Sequence, residues 1–247
     1  MLRGSTTLVL LVLAAACGME PSAPGGATAG RLLSQPGVVR ATPQSPGLHE
    51  VDVGFPRPAL LYVPTTYRPD AASPMLVLLH GAGGDARGGI DPLLAFADEA
   101  GVILVSPSSR RATWDVIGGG FGPDVTAIDR ALEHVFARFS VDETRLGMGG
   151  FSDGASYALS VGLTNGDLFT HVVAFSPGFS AEEEEVGRPR IFITHGVHDR
   201  VLPIDRTSRR LQPRLRDAGY DVVYEEFPDG HVVPAEKARR ALDWFLR

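Results

Sequence analysis

The sequence predicts an α/β protein: a mostly parallel, doubly wound sheet with helices on both faces. Three observations carry this. Short continuous apolar runs recur at residues 75–79, 102–105, 145–149, 171–175, 190–194 and 222–227, as expected of strands covered on both faces of a parallel sheet. The stretches between them have helical period. Strand–helix alternation at this spacing implies right-handed βαβ units.

Each element follows from its residues. In 124–139, Ile128, Leu132, Val135, Phe136 and Phe139 recur at three- and four-residue spacing, with Asp129 and Glu133 on the opposing face. Segments 206–218 and 234–246 repeat the pattern, and Pro234 suits a first helical turn. A further helical stretch, 155–163, follows the run at 145–149. Ahead of the parallel runs, Val51, Val53 and Phe55 alternate with polar or small residues, and 59–63 (ALLYV) follows a Pro-rich turn. These two read as an antiparallel pair at a sheet edge. The spacing between strands leaves no room for a large lid.

With 247 residues, one domain is expected and the chain is long enough for a sizeable core. Hydrophobic content of 44% and charged content of 21% are ordinary for a globular protein. A formal charge of −6 argues against a nucleic-acid binder, which needs a basic face. The sequence has no phosphate-binding loop, no dinucleotide fingerprint and no internal repeat. Lys237 is the only lysine, and arginine with abundant Ala, Gly and Pro reflects GC-rich coding more than function.

The N-terminus has its own logic. Arg3 precedes an apolar stretch, 8–16 (LVLLVLAAA), of signal-peptide length. It is shorter than the roughly 20 residues that span a bilayer. It runs into Cys17, the sole cysteine, which has no internal disulfide partner. A cysteine directly after small residues resembles a bacterial lipobox, although Ala14 stands where leucine is usual. That resemblance implies export, cleavage after residue 16 and lipidation of Cys17 at the cell envelope. The alternative is an ordinary secretory signal. Residues 18–47, rich in Pro, Gly, Ser and Ala, are expected to be a flexible tether, and 48–247 the folded body.

In doubly wound sheets, ligands bind beyond the carboxyl ends of the strands, so any catalytic group must follow a strand. Ser152 does. Gly150-Phe151-Ser152-Asp153-Gly154 fits G-x-S-x-G, in which small residues flank a serine on a tight strand-to-helix turn. A helix-capping serine is the bland alternative. A serine nucleophile needs a base. His231 follows the last run, Asp199 the one before it, and the order Ser152, Asp199, His231 is that of the α/β-hydrolase fold. Asp205 reads as a helix cap, Asp153 as pointing away from the hydroxyl, and Asp229 as too near His231. His195, His198 and Asp199 cluster as in a metal site, but that reading leaves Ser152 and His231 unexplained. His195 is therefore assigned to loop hydrogen bonding and His198 to solvent, with no metal or other cofactor expected. The first parallel run ends in His80-Gly81-Ala82-Gly83-Gly84, small residues that let amides approach a substrate oxygen. Ala82 and Asp153 are the expected oxyanion donors, with Gly83 as substitute for Ala82. Trp114 is the substrate-binding candidate; a core tryptophan under the loop is the alternative. Residues 182–185 (EEEE) read as a solvated loop, and 118–122 (GGGFG) as a mobile pocket rim.

The motifs LLHGAGGD, GMGGFSDGASYAL, HGVHDRVLPI and FPDGHVVP resemble the phospholipase/carboxylesterase and polyhydroxybutyrate-depolymerase-like branch of the α/β-hydrolase superfamily. The resemblance covers roughly 48–247. It implies a metal-free serine esterase or thioesterase with Ser152, Asp199 and His231 as triad, acting on a small or polymeric ester. A tethered binding protein on the same fold, or a serine peptidase, is the alternative.

Overall fold

In the computed structural model, residues 30–182 and 184–247 are described. The leader and Cys17 lie outside them. Eight strands form one sheet. They are β1 (Gly47–Val51), β2 (Ala59–Val63), β3 (Ser73–Leu79), β4 (Ile103–Ser106), β5 (Val141–Phe151), β6 (His171–Phe175), β7 (Arg190–Gly196) and β8 (Val222–Phe227). Their order is β1-β2-β4-β3-β5-β6-β7-β8. The β1–β2 and β2–β4 pairs are antiparallel and the others parallel. The helices are α1 (Ala86–Leu94), α2 (Ala97–Ala100), α3 (Pro123–Phe136), α4 (Asp153–Thr164), α5 (Ser208–Asp217) and α6 (Ala235–Phe245).

Both faces of the sheet are covered, which is why its strands read as unbroken apolar runs. Met75, Val77 and Leu79 of β3 pack with Ile128, Leu132 and Val135 of α3 on one side. Leu76 and Leu78 pack with Ile90 and Leu93 of α1 and Leu242 and Phe245 of α6 on the other. The α4 and α5 side chains Leu159, Leu163, Leu211 and Leu215 close a third cluster over Ile191 and Ile193.

Several elements differ from expectation. Strand β1 stops at Val51; Asp52 then accepts from the Gly54 amide at 2.7 Å and turns the chain. Val53 is buried beyond the strand. Strand β5 is longer than its apolar run because its first residues pair with β3 across a register shift. Helix α1 escaped the periodicity because Gly88, Gly89 and Pro92 dilute it. Asp85 starts it, accepting from Arg87 N and Gly88 N at 3.0 and 3.1 Å. Asp205 does not cap α5; it lies in a 3-10 turn and pairs with Arg209 at 2.7 Å.

The expected tether is also corrected over its described part. Arg31 bonds the Thr164 carbonyl at 2.6 Å and ion-pairs with Asp167. Leu32 is buried, and its amide donates to Asn165 Oδ1 at 2.8 Å. The Leu33 and Ser34 amides share Asp129 Oδ1, and the Arg40 and Ala41 amides share the Ala137 carbonyl. Residues 30–44 are thus strapped across α3 and the far end of α4. Among the described residues, no helix is long and apolar enough to cross a membrane.

Candidate active site

Strand β5 turns into α4 at a single residue, Ser152, whose backbone has φ 58° and ψ −121°. Positive φ in a non-glycine residue costs of order 1–3 kcal/mol and persists only where surroundings enforce it. The flanking glycines show what enforces it here. A Cβ on Gly150 would lie 2.5 Å from the Gly154 carbonyl and 2.7 Å from that of Leu79, and one on Gly154 would run into the Leu79 and His80 carbonyls. The Ser152 amide is fixed by the Phe175 carbonyl at 2.9 Å. The turn presents the hydroxyl at the carboxyl edge of the sheet.

Two neighbouring loops meet it there. His231 follows β8 and Asp199 follows β7, and the loops are laced by Val197 N to Phe227 O and His198 N to Asp229 O, both 2.9 Å. His231 Nε2 lies 2.8 Å from Ser152 Oγ, and its Nδ1 lies 2.6 Å from Asp199 Oδ2. The imidazole packs against Phe151, ring centroids 4.6 Å apart. Asp199 Oδ1 accepts from the Val201 and Leu202 amides at 2.9 and 2.8 Å. Burial pulls the Asp199 carboxyl upward, but bonds from His231, Leu202 and Val201 outweigh it and hold the group below the ordinary carboxylate range. A carboxylate so held stays ionised opposite the imidazole, as a group that orients and stabilises an imidazolium must.

The other carboxylates stand aside. Asp153 accepts from Thr113 Oγ1 at 2.5 Å, away from the hydroxyl, and Asp229 turns back on the Gly230 amide. His198 is exposed. His195 is buried with both ring nitrogens engaged.

The loop after β3 runs beside Ser152, since a Cβ on Gly81 would lie 3.3 Å from Ser152 Cβ. The Ala82 and Asp153 amides donate to nothing else among the described residues. Gly83 is a correction: its amide donates to the Ala112 carbonyl at 2.6 Å, so it is not a substitute donor. Gly83 has φ +73°, in the left-handed region that favours glycine.

Trp114 lies in the core under its loop. It has 0% exposure, lies between His80 and Tyr157 at centroid distances of 4.8 and 5.1 Å, and donates from Nε1 to the His80 carbonyl at 2.8 Å. It supports the loop after β3 through that bond. A hollow of about 600 Å³ borders it, lined also by Arg110, Arg111, Thr113, Ile117 and Pro123. Ser152 is not in its lining. Thr113, through Asp153, connects the two.

Sequence reasoning missed two residues at this edge. Thr113 ties the hollow's loop to the residue after Ser152, and Arg57 ties the same loop to Gly84. Arg57 Nη2 reaches Ser109 Oγ at 2.9 Å and the carbonyls of Arg111 (2.6 Å) and Ser109. Its partners are neutral oxygens on distant segments, and no local motif announces them.

Comparison with known proteins bears on the family and the fold. A model of the Esterase family, described as "Putative esterase", matches residues 53–210. The chain is 27% identical over 167 residues to the "Probable feruloyl esterase C" of Aspergillus oryzae, covering 64% of this chain and 60% of that protein. The chain therefore spans under two thirds of the length of that relative. Among solved structures, the S-formylglutathione hydrolase of Staphylococcus aureus superposes with a TM-score of 0.64 at 16% identity, covering 84% of this chain and all of that one. A ferulic acid esterase of Anaeromyces mucronatus, in complex with ferulic acid, superposes at 0.59 and 18% identity, covering 87% and 93%. At these identities the structures speak for the α/β-hydrolase fold.

Proposed function

The chain belongs to the Esterase family, and from that membership we propose that it is a carboxylic ester hydrolase with Ser152 as nucleophile. His231 is the base and acid, and Asp199 orients it. The observation that carries the reading is the unbroken pair of hydrogen bonds from Ser152 Oγ through His231 to Asp199, 2.8 and 2.6 Å.

The reaction runs in two halves. Ser152 Oγ attacks the ester carbonyl while its proton passes to His231 Nε2. The resulting oxyanion is met by the Ala82 and Asp153 amides, each donor supplying about 2.7–4 kcal/mol. The second of these amides opens α4, where negative charge is favoured. Collapse expels the alcohol, which takes the proton from Nε2 and leaves an acyl-Ser152. Water then attacks that acyl group, giving its proton to Nε2. The acid departs and Ser152 recovers its hydrogen.

For the substrate, the feruloyl esterase relatives put hydroxycinnamate esters first. The hollow beside Thr113, about 600 Å³, has room for such a group, small-molecule sites running roughly 300–1,000 Å³. Lipidation of Cys17 completes the proposal by placing the enzyme on a membrane surface, and mass spectrometry of the mature N-terminus reads it directly.

The test is covalent labelling. A fluorophosphonate should modify wild type at Ser152 and leave Ser152→Ala unmodified. His231→Ala should lose ester hydrolysis by several orders of magnitude. Wild type that resists the probe and cleaves no feruloyl, hydroxybutyrate or p-nitrophenyl ester overturns the reading.

A further inference from the structure

The loop carrying Asp199 begins with a second histidine that the reaction above does not use. His195 is the penultimate residue of β7, its side chain fully buried. Its Nε2 faces two acceptors, the Leu202 carbonyl at 2.8 Å and Asp199 Oδ2 at 3.1 Å. Neither has a proton to give, so Nε2 carries the hydrogen. Nδ1 is then bare, and the buried Ser208 hydroxyl at the start of α5 donates to it at 2.7 Å. The Leu202 carbonyl thereby fixes which tautomer is present, and Ser208 meets the nitrogen left bare.

Counting the donors on Asp199 shows the consequence. Oδ1 takes the Val201 and Leu202 amides. Oδ2 takes His231 Nδ1 at 2.6 Å, and His195 Nε2, whose hydrogen bond goes to the Leu202 carbonyl, stands 3.1 Å from the same oxygen. Two imidazoles therefore face one oxygen, His231 closer by half an ångström (3.1 against 2.6 Å).

We infer that His195 is a positioning residue for ester cleavage, a neutral imidazole with its tautomer set by the Leu202 carbonyl, whose Nε2–H dipole 3.1 Å from Asp199 Oδ2 limits how tightly that carboxylate holds the His231 proton. The inference rests on the Ser152–His231–Asp199 reading. Neutrality is essential to it. A cation at position 195 would oppose the imidazolium that forms on His231, and burial disfavours one, lowering the His195 pKa. The charged neighbours agree. Asp199 and His231 face it from the two loops, and Glu226 lies across from it in β8, already bound by Arg209 at 2.7 and 2.8 Å.

Removing the donor leaves Oδ2 to His231 alone. The carboxylate becomes more basic, the imidazolium is held harder, and proton return to the leaving alcohol slows. His195→Phe should lower kcat for an alkyl ester, whose alkoxide must be protonated to leave, about tenfold, a charge-assisted hydrogen bond's worth. KM should stay within about twofold. The acid limb of kcat/KM against pH should move upward by about half a unit or more. His195→Gln, which keeps a side-chain N–H, should recover most of both. Ser208→Ala, which leaves Nδ1 unpaired and the ring less firmly held, should move the limb the same way by less.

An NMR titration of His231 in Ser152→Ala, with and without His195→Phe, reads the same shift without turnover. An unmoved limb and an unmoved His231 titration in the Phe and Ser208→Ala variants overturn the inference, as does a Gln variant no better than Phe. If His195→Phe does not fold, Gln and Ser208→Ala decide by the same readouts. If wild type proves inert to ester and probe, the esterase reading falls while the titration still decides the role of His195.

Discussion

Arg57 donates to the Gly84 carbonyl at 2.8 Å and so fastens the loop after β3 to the loop after β4. Its other nitrogen holds Ser109 and the Arg111 carbonyl, one residue from the Ala112 carbonyl that takes the Gly83 amide. The Ala82 amide sits within this frame. Arg57→Met should therefore lower kcat about tenfold by loosening an oxyanion donor that is strongest in the transition state. KM should change little. Arg57→Lys should rescue poorly, because one ammonium does not span the oxygens that a planar fork reaches. Steady-state kinetics decide it; a raised KM at unchanged kcat would make Arg57 a substrate contact instead.

Trp114 gives a prediction opposite in kind. Replacing it with Phe keeps most of the packing and leaves the buried His80 carbonyl without its indole donor. That should cost about 1–3 kcal/mol of stability. Trp114→Ala, which opens a cavity between His80 and Tyr157, should cost about 3–5 kcal/mol. Denaturant midpoints measure both. KM for aryl esters should be unchanged in the Phe variant, and a selective rise for aryl over alkyl esters would return Trp114 to the substrate wall.

These two residues show where the sequence was legible. Ser152, Asp199 and His231 each follow a strand, and strand ends are visible as the limits of apolar runs. The glycines about Ser152 announce a turn with no room for side chains. Arg57 and Thr113 act through backbone carbonyls and a single carboxylate on remote loops, which leave no pattern in the residue string. Gly83 stays a substitute for Ala82 on sequence alone for the same reason: the acceptor that claims its amide belongs to residue 112. Trp114 looked equally like a pocket wall and a core residue because position along the chain does not fix side-chain direction. The strap at 30–44 has a linker's composition, and its bonds come from Asn165, Asp129 and Ala137, roughly a hundred residues or more away.

The strap can be cut loose at one point. Asn165 is buried, takes the Leu32 amide on Oδ1 and gives Nδ2 to the Gly30 and Val161 carbonyls, each at 2.8 Å. Asn165→Ala removes all three bonds. Trypsin should then cleave after Arg31 and Arg40 faster than in wild type, and stability should drop by about 1–3 kcal/mol. Ester hydrolysis should persist in the uncleaved variant, because Asn165 ends the helix that Ser152 begins, about 20 Å away at 1.5 Å per residue. Unchanged cleavage rates would mean that Asp129 and Ala137 hold the strap without it.

His171 makes stability depend on pH. It is buried in β6, edge-on to Trp244 and Phe245 at 5.1 and 5.3 Å, with Nδ1 on Thr170 Oγ1 at 2.8 Å and Nε2 without a partner. Burial, helped by the charge of Arg190, lowers its pKa to about 4. The unfolded chain, titrating near 6.5, binds the proton first as pH falls. The stability tied to the neutral ring is therefore complete above about pH 6.5 and lost progressively toward pH 4, to a total of about 3 kcal/mol. Urea midpoints at about pH 7 and about pH 4.5 should diverge in wild type and converge partly in His171→Phe, the residual slope belonging to other buried histidines such as His80 and His195, whose pKa values are lowered too. An identical slope in wild type and variant would remove His171 as the cause, and would mean that the orphaned Nε2 finds a partner on protonation that the neutral ring does not engage.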